Sequence, residues 1–340
     1  MERPRVMIAG IGGASLGTEI GKSLKLAGRY EVFGCDISAT AFGLYAPEFT
    51  RTFYVDYSRY IDSVIDACLA ANATWLVPGG EQPMVLLGAA VEQLSDGGIR
   101  LVGNNPEVIR LCSDKRATFE RMQQLGIAIP KTVTATNADA VRSVGFPCIV
   151  KPATASGGSA SVFLATDIEE ALVYIHFIRS NAGTPLAQEY IDIEEGEYTV
   201  GVLSLPDRSI VGSIALRRSL DAKLSVAYRG RGGVISSGYS QGLIADFPRV
   251  RRTAEEIARD LGSEGPLNIQ GRVRNGEFIP FEINPRFSAS TYLRAMARFN
   301  EIDMFLRFLV AGEIPTPGPV QFGWYLRSLS EIFVPQDSLR

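Results

Sequence analysis

Four polar side chains lie near the ends of two strand-like segments late in the chain. Gln270 lies in the first segment, and Glu282, Asn284 and Arg286 take alternate positions at the end of the second. Residues two apart in a strand face the same side, so Glu282 and Asn284 point together, and a neighbouring strand can bring Gln270 beside them. Such oxygen ligands suit Mg²⁺, with phosphate and water completing its shell. Arg286 could then reach a phosphoryl oxygen; a structural polar network is the alternative interpretation.

A run of small residues follows the strand-like segment that ends at Lys151. Residues 153–161 read Ala-Thr-Ala-Ser-Gly-Gly-Ser-Ala-Ser. Small residues let backbone N–H groups approach phosphate oxygens, and a lysine at the strand end adds positive charge to the same anion. The pattern predicts a phosphate-binding loop, although a flexible turn has the same composition.

An extended segment, residues 186–191, leads into an acidic turn. Extended backbone can offer one N–H and one C=O to the edge of adenine, while a carboxylate that follows can accept hydrogen bonds from ribose hydroxyls. Glu197 is the candidate for that carboxylate. A strand with a solvated acidic turn is the other interpretation.

The elements that must position these residues differ between the two ends of the chain. The first hundred residues alternate short apolar runs with helical patterns, which is typical of a doubly wound parallel α/β sheet. Beyond residue 187 short β-prone runs dominate, which indicates an α+β region. We place a boundary near residue 110 and expect the parts to pack together, because no low-complexity linker separates them.

Composition excludes several classes of function. The chain has 46% hydrophobic residues and a formal net charge of -3, so it lacks the basic excess that nucleic-acid binding requires. No run approaches the roughly 20 apolar residues that span a bilayer, and the start shows no secretory pattern, so we expect a cytoplasmic protein without a membrane partner. The cysteines are scattered and His176 is the only histidine, which excludes a site with several histidine ligands.

Taken in order, these segments resemble the ATP-grasp superfamily, in particular ligases related to the large subunit of carbamoyl phosphate synthetase. The resemblance covers nearly the whole chain and is carried by residues 113–115, 146–152, the loop to 161, 188–191, 197–200, 267–270 and 281–288. It implies an α/β and α+β architecture, the ATP-grasp fold. The expected domains are a Rossmann-like domain that precedes the ATP-grasp unit (1–110), a small lid domain (111–186) and a larger α+β domain with the metal site (187–340).

The resemblance also implies roles in binding ATP. Two lysines would contact the nucleotide phosphates, namely Lys115 and Lys151. The lid loop would close over these phosphates with Ser156, Gly157, Gly158 and Ser159. The hinge that holds adenine would comprise Gln188, Glu189, Tyr190 and Ile191, and Glu197 would hold the ribose.

A second set of implied roles concerns phosphoryl transfer. Gln270, Glu282 and Asn284 match positions that bind one or two Mg²⁺ ions, with Mn²⁺ as a possible substitute. Arg286 matches an arginine beside the transferred phosphate. Arg217 or Arg218 would supply a further cation, and the sequence does not decide between them.

The N-terminal domain of the family usually helps to bind the second substrate. The candidates here are Gly12, Gly13 and Glu81, together with Ser288 in the larger domain. Related chains commonly carry Asp where this chain has Gly201, which we attribute to packing or to the outer shell of the metal. They also carry a more acidic tripeptide at residues 79–81, which leaves the identity of the acceptor open.

The activity implied is that of a carboxylate–amine ligase. ATP would convert a carboxylate into an acyl phosphate, and an amine would attack it with release of ADP and phosphate. An amino acid is the default substrate, and a homodimer is consistent with the family. Carbamoyl-phosphate-synthase-like chemistry on carboxyphosphate or carbamate, and a non-catalytic nucleotide-binding protein, are the alternatives.

A nicotinamide-dependent oxidoreductase is a further alternative, because Gly10, Gly12 and Gly13 precede a helix and Asp36 ends the second strand. However, Ser15 replaces the third glycine of that fingerprint. The oxidoreductase interpretation also leaves the polar set around Glu282 unexplained.

Overall fold

The N-terminal part of the chain is a parallel sheet. A computed structural model describes residues 3–12, 16–154 and 161–339. The sheet has the order β3-β2-β1-β4-β5, and every pairing in it is parallel. Its strands are Arg5–Ala9 (β1), Glu31–Asp36 (β2), Arg51–Tyr54 (β3), Trp75–Pro78 (β4) and Arg100–Leu101 (β5). This order confirms the doubly wound unit, which the sequence predicts from its alternating helical and apolar segments.

Five helices accompany this sheet: Leu16–Ala27 (α1), Tyr60–Ala70 (α2), Glu81–Ala89 (α3), Val91–Asp96 (α4) and Pro106–Ser113 (α5). Helix α5 begins as expected, because Pro106 occupies its first turn and the Asn105 side chain accepts a hydrogen bond from the Val108 N–H at 2.8 Å. The helical pattern over residues 84–94 is split between α3 and α4 at Ala90.

The middle of the chain forms a four-stranded antiparallel sheet of order β6-β9-β7-β8. Its strands are Thr132–Thr134 (β6), Cys148–Pro152 (β7), Phe163–Ala165 (β8) and Pro185–Glu189 (β9), and its helices are Lys115–Gln124 (α6), Ala138–Arg142 (α7) and Ile168–Ser180 (α8). Because β9 pairs with both β6 and β7, the domain boundary expected between residues 186 and 187 falls inside a strand of this sheet. The pairing favours a boundary after Glu189.

The last part of the chain is built on a six-stranded antiparallel sheet of order β16-β15-β10-β11-β14-β17. Its strands are Glu197–Ser204 (β10), Ile210–Arg218 (β11), Gly242–Ile244 (β14), Pro266–Arg274 (β15), Glu277–Asn284 (β16) and Gly323–Tyr325 (β17). A separate hairpin lies between β11 and β14, with strands Val226–Gly230 (β12) and Gly233–Ser236 (β13). The helices are Pro248–Asp260 (α9), Thr291–Met296 (α10) and Glu301–Ala311 (α11).

Apolar packing joins the N-terminal sheet to the six-stranded sheet. Helix α1 packs against α10 and α11, and one apolar core contains residues of both parts, including Ile20, Leu216 and Phe305. Burial of such side chains is the main source of stability for a domain interface. Among the described residues, no helix is long and apolar enough to cross a membrane.

Candidate active site

A cleft of about 720 Å³ lies between the four-stranded sheet, the six-stranded sheet and the β12–β13 hairpin. Eight residues that the sequence predicts for nucleotide or metal binding line it: Lys115, Lys151, Gln188, Glu189, Tyr190, Ile191, Gln270 and Glu282. These residues come from parts of the chain that are up to about half its length apart. The fold therefore brings the separate sequence motifs into one cavity.

Lys151 lies one residue before the end of β7, lines the cleft and is 5% exposed. Its Nζ donates to Gln188 Oε1 at 2.8 Å and to the Phe281 carbonyl at 3.2 Å. Burial lowers the pKa of Lys151 to about 7; the positive charge of Lys115 adds to this effect and Glu282 opposes it. A phosphate beside this amine would restore the charged form, because an anion raises the pKa of a lysine.

Lys115 is the first residue of α6, and the Asp114 side chain caps this helix by accepting from the Arg116 N–H at 2.8 Å. The backbone N–H of Lys115 donates to the Ala153 carbonyl at 2.9 Å, which ties α6 to the segment that follows β7. The two predicted lysines therefore lie together. The predicted loop residues Ser156, Gly157, Gly158 and Ser159, and also Gly13, lie outside the described residues.

The predicted hinge crosses one end of the cleft. The Glu189 N–H donates to the Lys131 carbonyl at 2.8 Å, and the Ile191 carbonyl accepts from Arg272 at 2.6 Å. The Tyr190 hydroxyl accepts from the Val234 N–H at 2.9 Å, so the hinge holds the hairpin over the cleft. A Cβ at Gly233 would lie 2.4 Å from the Tyr190 ring, which requires glycine at that position.

The Glu197 carboxylate is held in a buried ion pair. Its Oε2 accepts from Arg272 Nε at 2.9 Å, its Oε1 lies 3.4 Å from Arg218, and its side chain is 0% exposed. It is not among the residues that line the cleft. This differs from the expected ribose contact, because the carboxylate already neutralises two guanidinium groups.

The predicted metal ligands meet where β15 pairs with β16. Gln270 lies opposite Glu282, and Asn268 lies opposite Asn284. A register shift next to Gln270 leaves Phe281 as an extra residue in β16, and such bulges are common near active sites. Gln270 Oε1 also accepts from Arg218 Nη1 at 3.3 Å.

A smaller cavity of about 300 Å³ adjoins the cleft and shares Lys115, Phe281 and Glu282 with it. Asn284 and Glu81 also line this cavity. Asn284 is 6% exposed, and its Nδ2 has no hydrogen-bond partner among the described residues. The donor set of one carboxylate and two side-chain amides supplies the hard oxygen atoms that Mg²⁺ requires, so these residues fit that ion.

Arg286 follows the metal-ligand candidates. Burial lowers its pKa, while the charges of Glu282 and Glu81 raise it. Its Nη1 donates to the Phe287 carbonyl at 2.9 Å, and its Nε is buried without a partner in the described part of the chain. The structure therefore brings Glu81, from the N-terminal part, electrostatically close to Arg286. Ser288 is 4% exposed and its Oγ accepts from the Ser290 N–H at 3.0 Å, so its hydroxyl supports the turn after β16.

Strand alternation distinguishes Arg217 from Arg218. Arg217 is exposed, whereas Arg218 is 6% exposed and donates to Gln270 and to the Ser237 carbonyl. The sequence leaves Arg217 and Arg218 as alternatives, and the structure therefore favours Arg218 as the cation beside the cleft.

Gly12 lies at the carboxyl edge of the N-terminal sheet, where a Cβ would be 3.4 Å from the Asp36 carboxylate. It does not line the cleft. Asp36 accepts from the backbone N–H groups of Ile11 at 2.8 Å and Ser38 at 3.0 Å. These bonds close the local turn, which accounts for an acid at the end of β2 without a dinucleotide.

The sequence interpretation missed several residues that line the cleft: Pro130, Ile149, Val162, Val234, Ile235, Ser236, Arg272 and Phe281. Arg272 stands out among them, since its guanidinium lies 4.8 Å from the centre of the Tyr190 ring and also binds Glu197. Arg272 could have been predicted from strand periodicity, because it lies two residues after Gln270 and therefore faces the same side of the sheet. The hairpin does carry a signal in its glycine-rich run over residues 229–242, which is typical either of a mobile cover or of a surface loop.

Comparison with known proteins identifies the family of this chain. The model of the ATP-grasp domain family matches residues 112–290. The chain belongs to the ATP-grasp family. This ATP-grasp chain is 26% identical over 263 residues to the carbamoyl phosphate synthase large chain of Myxococcus xanthus, covering 74% of the chain but 24% of that protein. It thus spans about a quarter of the length of the curated relatives it matches.

Solved structures show the same fold at low sequence identity. Biotin carboxylase from Campylobacter jejuni, solved as a complex with β-γ-ATP, has a TM-score of 0.70 at 17% identity, covering 94% of this chain and 74% of that one. An L-amino acid ligase from Bacillus licheniformis has a TM-score of 0.66 at 16% identity, covering 91% and 74%. The ATP-grasp fold predicted from the sequence is therefore confirmed.

Proposed function

We propose that this protein is an ATP-dependent carboxylate–amine ligase that acts through an acyl phosphate. The observation that carries the proposal is the convergence of Lys115, Lys151, Gln270 and Glu282 on one cleft that the hinge closes at its end. Paired lysines, oxygen donors for a divalent ion and an apolar wall with free backbone groups are what a metal-bound nucleoside triphosphate requires.

In this proposal adenine lies between the hinge and the hairpin. The Glu189 N–H and the Ile191 carbonyl are already engaged, so the Glu189 carbonyl and the Ile191 N–H would pair with adenine. Ile149 and Ile235 would contact the faces of the base. The phosphates would extend toward Lys151 and Lys115, with the predicted loop 156–159 closing over them.

Glu282, Asn284 and Gln270 would hold one or two Mg²⁺ ions, or Mn²⁺ in their place. The ion supplies charge neutralisation to the nucleotide phosphates when it is bound. The protein's own contribution is the placement of oxygen donors on adjacent strands and of two lysines opposite them. Catalysis of phosphoryl transfer rests mainly on such positioning and electrostatic stabilisation.

The transfer step would proceed by attack of a carboxylate oxygen on the γ-phosphorus, with the bond to the β-γ bridging oxygen breaking and ADP leaving. Arg286 and Arg218 would stabilise the charge on the transferred group. An amine would then attack the acyl carbon, so that the amide forms, phosphate leaves and the amine releases a proton. The hairpin and the four-stranded sheet would exclude water, which would otherwise hydrolyse the acyl phosphate.

The substrates remain those expected from the sequence: a small carboxylic acid and an amine, at least one of them an amino acid. Glu81 lines the smaller cavity together with Glu282 and acts electrostatically on Arg286, so it would contact the second substrate in this proposal. A homodimer and a cytoplasmic location stay predictions.

The test measures ADP and phosphate release from Mg·ATP in the presence of pools of amino acids, small carboxylic acids and bicarbonate. Wild type is compared with Glu282→Ala and with Glu277→Ala, a matched control because Glu277 is exposed on the same strand. We expect release that depends on a particular acid and on Glu282, but not on Glu277. Release with bicarbonate alone would instead indicate carboxyphosphate chemistry, and no binding of ATP at all would refute the proposal.

A further inference from the structure

The segment after β17 brings an arginine, Arg327, close to Arg218. Arg218 pairs with Gly242, and Gly242 pairs with Tyr325, so Tyr325 lies on the same face of the sheet as Arg218. Arg327 follows two residues later, and its backbone N–H donates to Gln241 Oε1 at 3.0 Å. The C-terminal part of the chain thus reaches the side of the sheet that carries Gln270 and Glu282.

The guanidinium of Arg327 is held between the two halves of the molecule. Its Nη2 donates to Glu19 Oε2 in α1 and to the Ala289 carbonyl, both at 2.6 Å. Its side chain is 8% exposed, and its Nη1 is buried without a hydrogen-bond partner among the described residues. An unpaired buried donor is costly, so a ligand that accepts from it binds with advantage.

Two further buried groups near Arg327 lack partners in the described part of the chain. One is the Nε of Arg218, and the other is the Oγ of Ser290, which is 0% exposed and follows Ala289 directly. These groups can all donate a hydrogen bond. The turn that carries Ser290 begins just after Arg286, and Arg218 is itself assigned to the transferred phosphate, so these unpaired donors lie next to the groups that would act in phosphoryl transfer.

The charges in this region do not balance. Glu197 is shared by Arg218 and Arg272, Glu19 is shared by Lys22 and Arg327, and Glu282 also acts on Arg218, so three carboxylates face four cations. Burial lowers the pKa of Arg218, Glu197 and Glu282 oppose this effect, and the like charges of Arg272 and Arg327 add to it. A bound anion relieves this repulsion.

We propose that Arg327 binds the α-carboxylate of an amino-acid substrate, with Arg218 and Ser290 beside it. This carboxylate is a spectator: a carboxylate paired with a buried guanidinium is a poor nucleophile, so the group that reacts is the amine of the same molecule. The inference rests on the proposed function and specifies the class of its acceptor as an amino acid. Glu19 acts as a positioning residue that orients Arg327.

The test measures binding by calorimetry in the presence of a non-hydrolysable Mg·ATP analogue. The probes are the twenty common L-amino acids and their α-amides, in which the carboxylate is replaced. We expect at least one amino acid to bind the wild-type protein, and we expect its α-amide to bind at least about tenfold more weakly. Arg327→Met should lower the affinity for that amino acid by about 10- to 100-fold and remove the preference for the acid over its amide. The affinity for the ATP analogue should stay unchanged.

Two further variants separate recognition from folding. Arg327→Lys keeps the positive charge and should retain part of the preference for the acid. Arg208→Met is the matched control, because Arg208 pairs with Glu264 at the surface, and it should change neither affinity nor preference.

Two results would overturn the inference: no amino acid binds wild type, or Arg327→Met lowers the melting temperature yet keeps the preference for acid over amide. The second result would mark Arg327 and Glu19 as a purely structural ion pair. Failure of the proposed function is distinguishable, since it shows as the absence of acid-dependent ADP release in wild type.

Discussion

One face of β10 extends from the cleft to the sealed interior of the molecule. Each end of this face carries a buried arginine–glutamate ion pair, and the two pairs differ in their surroundings. At the cleft end, Glu197 neutralises Arg272 at 2.8 Å and also faces Arg218 at 3.4 Å. At the other end, beside Gly201, Arg294 and Glu301 form a pair at 2.9 Å. Both pairs are almost completely buried, so the degree of burial does not separate their roles.

Balance of charge separates them. Arg294 has a carboxylate of its own, and its Nη2 donates to Asn268 Oδ1 at 2.7 Å and to Thr199 Oγ1 at 3.1 Å. At the cleft end, Glu197 is shared by two guanidinium groups. Each end leaves one arginine Nε, that of Arg218 or that of Arg294, without a hydrogen-bond partner among the described residues. A buried network with balanced charges stabilises the fold, whereas a buried network with excess positive charge favours the binding of an anionic ligand.

Gly201 makes the sealed end possible. A Cβ at this position would lie 2.3 Å from Arg294 Nη1 and 2.6 Å from Glu301 Oε1. The glycine at this position is therefore explained by packing, which is one of the two explanations that the sequence leaves open. Glu301 places its carboxylate where a side chain at position 201 would lie.

If the chemistry takes place at the cleft, removal of Arg286, the arginine assigned to the transferred phosphate, should have the largest effect on activity. We expect Arg286→Ala to lower kcat by about 10³-fold or more, as loss of such an arginine does in other phosphoryl transferases, with little change in the Kd for Mg·ATP. Arg217→Ala is the matched control, because Arg217 is exposed on the opposite face of β11. Steady-state kinetics and calorimetry measure the two quantities; normal turnover in Arg286→Ala would refute its assigned role.

If the sealed end only holds the fold, breaking its ion pair should affect stability alone. Arg294→Met leaves Glu301 as an unpaired buried carboxylate, which costs about 3–5 kcal/mol in the free energy of unfolding. Denaturant titration measures this loss. The kcat of the folded fraction should remain at the wild-type value, and a fall in kcat without a loss of stability would show that this end also takes part in catalysis.

Much of the cleft could be predicted because its residues lie at strand ends or alternate along strands. Gln270 and Glu282 follow from period-two patterns, and their convergence required only that β15 and β16 pair in register. Lys151 lies near the end of a strand in the other sheet, and its approach to β16 depends on how the two sheets pack. Arg327 could not be predicted in this way. Its place depends on the pairing of β17 with β14, and three residues of a short strand carry no readable period.

Glu197 shows a second limit of sequence-based interpretation. A carboxylate after a hinge can face a ribose or an arginine, and the sequence does not reveal which partner the fold supplies. Here Arg272 lies opposite Glu197 in the β10–β15 register and takes the carboxylate. The partner of a polar residue depends on long-range register, which is weakly encoded in any local segment.

A milder change should show whether Glu301 has replaced an acid at position 201. Gly201→Asp places a second carboxylate against Glu301 and a side chain against Arg294, so we expect a destabilisation of about 1–3 kcal/mol from overpacking. Adding Glu301→Ala removes the competing carboxylate and should recover at least half of that loss. Thermal and denaturant unfolding of the single and double variants test this, and simple additivity of the two changes would contradict the replacement.

The smallest expected effect is the pH dependence of nucleotide binding at the cleft end. The Lys151 amine has a pKa of about 7 in the free protein, and phosphate raises that pKa, so binding of Mg·ATP takes up a proton above pH 7. The affinity should therefore be greatest below pH 7 and fall by up to about tenfold for the next pH unit, because each unit of pKa difference corresponds to a factor of ten. Calorimetry at several pH values in buffers of different ionisation enthalpy measures both the Kd and the proton uptake. Lys151→Arg stays charged throughout this range and should give a flatter profile, whereas equal slopes in the two proteins would assign the pH dependence to another group.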